Sequence, residues 1–197
     1  MMKALIPLVA ALAGAILAGP VQAADIKLNR QAVLDLARSD KLLCSDWRAK
    51  DASCGDIGFM DVVSDSQIRQ TYRYQLSIEP NLQVLIQETS TLDGDALCST
   101  FRYDALDLIV LLDGQPAPDE QSLAIGALFQ QSMAEFEGKR ACETFARDAA
   151  TGEVHSTVTL DGRPEPTLDS TYRLLAPADR IHLRPADQGE DPGRLET

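Results

Sequence analysis

The side chains of this 197-residue chain able to do chemistry are few: two histidines, four cysteines and scattered carboxylates. His155 lies between Val154 and Val158, and His182 between Ile181 and Leu183. In both places apolar residues recur every second position, so each imidazole faces away from the apolar side of a strand. Brought together across adjacent strands with an Asp or Glu, the two would make a metal site or an acid–base pair. Left apart, they are surface imidazoles. Asp104, Asp107, Asp113, Asp119 and Glu120 are close in sequence, but their spacing matches no calcium loop and suits a solvated edge. There is no Gly-x-Ser-x-Gly elbow, His-Glu-x-x-His, phosphate-binding loop or EF-hand. No metal and no cofactor is expected. His155 and His182 are the weak catalytic candidates, and Trp47, Phe59 and Met60 form a possible interaction surface.

The cysteines have a clearer meaning. Cys44, Cys54, Cys98 and Cys142 form no Cys-x-x-Cys pair, and their number is even. The chain opens on MMKALIPLVAALAGAILAGPVQA: Lys3, an Ala-rich apolar run ending at Gly19-Pro20, then small residues before position 24. This layout predicts a signal peptide over 1–23, cleaved after Ala23, and a periplasmic or secreted protein without a membrane anchor in the mature chain. In such a compartment the thiols are read as two disulfides. Three connectivities exist; Cys44–Cys54 as a local clamp and Cys98–Cys142 as a long-range bridge are expected. Net charge is −12. An acidic surface of this size repels nucleic acid and anionic head groups.

Leu28-Asn29-Arg30-Gln31-Ala32-Val33 predicts a helix start, with Asn29 as N-cap and Leu28 and Val33 as a hydrophobic staple. Residues 44–66 show no period and are expected to be an irregular, disulfide-clamped segment. From Ile68 the period is two: Ile68, Tyr72, Tyr74, Leu76 and Ile78 share one strand face. Further alternation predicts a four-strand antiparallel meander over 68–113. Ile125, Leu128, Phe129, Met133 and Phe136 then recur at helical spacing after Pro118-Asp119, predicting a helix over 119–137. Gly126 inside it implies close packing. Strands resume around Phe145, Val154–Leu160, Tyr172–Leu174 and Ile181–Leu183, and the tail 186–197 is expected to be disordered.

One repetition stands out. CSTFRYDA at 98–105 is echoed by CETFARDA at 142–149, and LDGQPAP at 112–118 by LDGRPEP at 160–166. Each unit reads as a strand with Cys and Phe, an Asp-Gly turn and a Pro-x-Pro exit. The expected fold is therefore α+β, with antiparallel β-meanders each packed with a helix and a tandem duplication of that unit: 24–118 and 119–185. In layout alone this resembles tandem helix-plus-meander folds of the β-lactamase-inhibitor type; no motif carries residues across. The expected function is a non-enzymatic binding or accessory protein whose partner is a protein or small ligand of the envelope. The alternatives are a small hydrolase with a motif-less His/carboxylate site, or a carrier of a small apolar ligand.

Overall fold

The computed structural model describes residues 25–185. The segment expected to be a signal peptide and the tail from 186 lie outside the described residues. In chain order the elements are β1 (Ile26–Lys27), α1 (Arg30–Ala37), β2 (Leu42–Ser45), β3 (Ser53–Cys54), β4 (Asp56–Ser64), β5 (Gln67–Ser77) and β6 (Leu82–Asp93). Then follow β7 (Ala96–Thr100), β8 (Asp107–Leu112), β9 (Gln115–Pro116), α2 (Asp119–Ser132), β10 (Arg140–Arg147), β11 (Val154–Leu160), β12 (Arg163–Pro164), β13 (Ser170–Leu175) and β14 (His182–Leu183).

The expected α+β fold is corrected. Antiparallel neighbours run β10-β11-β13-β2-β4-β5-β6, and β7 pairs with both β6 and β10, which closes eight strands into a barrel. Strands from 24–118 and from 119–185 contribute to this one wall. Closure follows from the inward rows: each strand carries apolar residues on one face, and a sheet wrapped on itself buries that face without leaving an edge. The helices do not pack on meanders but lie at the two ends. Cys98 and Cys142 are directly opposed in the β7–β10 register, and their disulfide staples the closing seam.

The expected meander also changes at its fourth strand. Tyr103–Ala105 turns as a short 3-10 helix, and β8 then pairs back onto the first half of β6, from Leu82 to Gln87. The last part of β6, Thr91–Asp93, pairs with β7. The upper wall therefore forks, and α2 lies near the fork, with Ile125 packed against Val84, Val110 and Ala117.

Segment 44–66 is not irregular: it holds the end of β2 and all of β3 and β4. Its alternation was hidden because both faces of β4 are covered. Gly58 and Met60 point inward, while Ile57 and Phe59 join Cys44, Cys54, Leu175, Trp47, Ile181 and Leu183 in a second apolar cluster outside the barrel. The Cys44–Cys54 bridge lies in that cluster, and parallel pairing of β14 with β3 covers it.

At the opposite end α1 plugs the barrel. Asn29 caps it by accepting from the Ala32 N–H at 3.0 Å, and the Arg30 guanidinium donates to the Leu92 carbonyl at 2.9 Å. Val33, Leu34, Leu36 and Ala37 pack on Leu43, Met60, Ile68, Leu92, Leu97, Phe145 and Val154, making an apolar floor. The repeated motif is a real local echo. Asp113-Gly114 and Asp161-Gly162 all have positive φ, the backbone of a tight hairpin turn. In each hairpin the residue after Pro returns a backbone N–H to its partner strand, Ala117 to Val110 and Glu165 to Val158, both at 2.9 Å.

Candidate functional site

Above the floor the barrel is hollow. A cavity of ≈ 770 Å³ extends from the middle of the barrel to the underside of α2. That volume falls within the usual range for small-molecule sites, roughly 300–1,000 Å³. Its upper walls are apolar: Leu76, Val84 and Ile86 from the sheet, and Ile125, Leu128 and Phe129 from α2. α2 is held over it lightly, since Gly126 is its sole buried residue among those described. The Tyr103 hydroxyl donates to the Gly126 carbonyl at 2.9 Å, and a Cβ on Gly126 would stand 2.8 Å from that hydroxyl. This is the close packing that a glycine inside the helix implied.

Between apolar floor and apolar upper wall runs a polar belt. The β5–β6 register shows its level: Ile68 opposes Ser90, Gln70 opposes Glu88, Tyr72 opposes Ile86 and Tyr74 opposes Val84. All these side chains but Ile68 border the cavity. Gln70 is the hub. Its amide nitrogen donates to the Tyr72 hydroxyl and to Glu143 Oε2, both at 2.9 Å, and its carbonyl oxygen accepts from Ser90 Oγ at 3.0 Å. Both amide hydrogens are thereby used, which orients the Glu143 carboxyl. Gly58 makes room for this belt, because a Cβ there would come within 3.2 Å of the Tyr72 ring. Asp56 and Ser45 hydrogen-bond each other at the rim of the belt.

The belt is acidic, and no Lys, Arg or His is among the described residues lining the cavity. Burial pushes the Glu143 carboxyl above the usual carboxylate range; the Gln70 amide opposes this, and the neighbouring Glu88 charge adds to it. Burial likewise raises Glu88, against a weak Ser99 contact at 3.5 Å, and raises Asp56. The Tyr72, Tyr74 and Tyr172 phenols are also raised, chiefly by burial. These groups nevertheless keep part of their surface accessible, because they face the cavity.

A folded carboxyl with a raised pKa holds its proton more tightly than the unfolded one. The associated stability is complete at low pH and is lost as pH climbs from the unfolded value, 4.5 for a glutamate, to the folded value. Glu143→Gln keeps an acceptor for Gln70 and removes this loss. Urea unfolding should show the variant equal to wild type near pH 4 and more stable than wild type at pH 8. Each tenfold by which folding tightens the hold on the proton is worth about 1.4 kcal/mol of that difference. Equal curves at both pH values would contradict a buried, protonatable Glu143.

The residues singled out from sequence are placed as follows. His155 is on the outer face of β11, its Nδ1 2.9 Å from Thr171 Oγ1. His182 is on β14, in the separate two-stranded sheet, so the two imidazoles are not on adjacent strands. Asp25, Asp148 and His155 have ligand atoms within 4.8 Å of one another, but Asp148 already accepts from the Ala150 and Thr151 N–H groups. Trp47 and Phe59 pack in the outer apolar cluster, where the Arg173 guanidinium sits 5.5 Å from the Trp47 ring centre, whereas Met60 belongs to the barrel core. The disulfides are Cys44–Cys54 and Cys98–Cys142.

Sequence reasoning passed over Gln70, Glu88 and Glu143. The signal was a break in parity. Along β6 the inward positions read Leu82, Val84, Ile86, Glu88, Ser90 and Leu92, two polar residues interrupting an apolar row that then resumes.

The fold and cavity together define a closed antiparallel barrel with one plugged end and one hollow end. Comparison with protein-family models, curated proteins and solved structures gave no match. Function must therefore be argued from the site itself. Two disulfides fit an oxidising, extracytoplasmic environment, and no described helix is long and apolar enough to cross a membrane.

Proposed function

We propose that this protein is a non-enzymatic binding protein of the cell envelope or its surroundings that carries a small, largely apolar molecule inside its barrel. One observation carries the reading: an ≈ 770 Å³ space walled by aliphatic and aromatic side chains, with a few converging polar groups at its base. An eight-stranded barrel is just wide enough to hold one such ligand, and hydrophobic walls with sparse polar contacts are the usual makeup of small-molecule sites. Packing a core solid is worth about 1 kcal/mol for each methyl-sized void filled, so a hollow of this size is costly unless something occupies it. Export, as the first 23 residues suggest, would supply the oxidant for both bridges.

The hydrolase alternative gains no support from the geometry, since His155 and His182 both lie outside the cavity. The test is direct. Protein purified without detergent is extracted with organic solvent and the extract analysed by mass spectrometry. The expected result is a compound present in near-stoichiometric amount, absent from extracts of a variant in which Val84→Trp fills the cavity. Failure to retain or rebind any apolar compound, with the barrel shown intact by circular dichroism, would end the carrier reading.

A further inference from the structure

The chemistry of the belt narrows the ligand. It rests on the reading of the cavity as the binding site. Glu143, from β10, and Glu88, from β6, both face the cavity below its apolar walls. Glu143 has the Gln70 amide as its hydrogen-bond donor, and Glu88 only the Ser99 hydroxyl at 3.5 Å. The Ser156 hydroxyl, 2% exposed, has Glu143 and Tyr172 beside it as hydrogen-bonding neighbours, and it opposes the rise that burial causes in both. Ser156 shares the inward side of β11 with Val158, which borders the cavity.

We propose that the ligand is a cationic amphiphile: an ammonium or similar positively charged nitrogen group seated head-down among Glu143, Glu88 and the belt tyrosines, with its apolar body between the upper walls and α2. An anionic head would meet carboxyls and no cation. A neutral head would leave those carboxyls desolvated without compensation. A positive nitrogen offers donors to both, and tyrosine rings attract such a group through their faces.

The proposal has a proton signature. The titratable groups facing Glu143 are Glu88 on β6, Tyr72 and Tyr74 on β5 and Tyr172 on β13, and Asp56 on β4 lines the same cavity. The tyrosines stay protonated because burial raises them, so the carboxyls, themselves raised by burial, are the groups whose protons a cation can displace. A cation entering the belt displaces a proton that burial had retained.

The experiment titrates three single-chain probes with one apolar body and different heads, dodecylammonium, dodecan-1-ol and dodecanoate, into the protein by calorimetry. Concentrations stay below micelle formation. At pH 8 dodecylammonium should bind at least about tenfold more tightly than dodecanol, the factor that ~1.4 kcal/mol supplies. Dodecanoate should bind most weakly. The advantage should shrink at pH 5, and heats in buffers of different ionisation enthalpy should report proton release. Glu88→Gln with Glu143→Gln should abolish the preference for dodecylammonium over dodecanol; E143Q alone should reduce it. Equal affinity for dodecylammonium and dodecanol, tightest binding of dodecanoate, or a preference that survives in the double variant would overturn the head-group assignment. The last result would place the attraction elsewhere than on Glu88 and Glu143. Binding of none of the three would overturn the carrier reading as well.

Discussion

Replacing Cys98 and Cys142 together by serine should cost about 4 kcal/mol, the largest single loss expected here, on a loop-entropy estimate. The bridge spans 44 residues and ties β7 to β10 where the barrel closes. β7 is five residues long, with four register pairs to β10 and three to β6, so few hydrogen bonds hold that seam. Glu143 is the neighbour of Cys142 and pairs with Leu97, so a loosened seam should also blur the belt. Guanidinium unfolding of the double variant gives the stability loss. A loss under ~1 kcal/mol would mean that the strand pairing closes the barrel unaided. The corresponding change at Cys44 and Cys54 should cost less, because the loop there is 10 residues.

The second large effect is expected at Gln70. Gln70→Leu fits the volume but removes three hydrogen bonds at once. Ser90, itself 2% exposed, then loses the acceptor for its hydroxyl, and the Glu143 carboxyl loses its donor. Leaving buried groups unsatisfied costs about 1–3 kcal/mol each, so with two groups affected a loss of at least about 2 kcal/mol is expected. The loss should grow with pH, because a charged Glu143 suffers more from the missing amide than a protonated one. A urea series at pH 5 and pH 8 checks both parts. A pH-independent loss would show that Gln70 only fills space and does not support Glu143.

Both expectations concern groups that the sequence treats very differently. The cysteine pairing was legible because the export expected from the first residues would imply oxidation, and because two Cys-x-Thr-Phe segments announce similar strands. Gln70 was illegible: within Ile68, Tyr72, Tyr74 and Leu76 it reads as a single polar lapse on an apolar face. What makes it a hub is that Glu143 arrives from a strand 73 positions away. β4 was lost for the opposite reason. Its outward residues Ile57 and Phe59 are apolar because the disulfide loop and the C-terminal strand cover them, so no alternation survives to be read. The fold class failed at one junction. A strand period of two looks the same in an open meander and in a closed barrel, and only the pairing of β7 with β10 separates them.

Local chemistry is settled by neighbours in the chain. The Asn29 cap, the two Asp-Gly hairpin turns and most strand faces follow from side chains within a few residues of one another. Closure, the polar belt and the hollow end are settled by residues far apart in the chain. Hydrophobic periodicity records which side of a strand is buried, but not what shares that burial. The meeting of Gln70 with Glu143 and the space left beneath α2 therefore exist only once eight strands have closed around them.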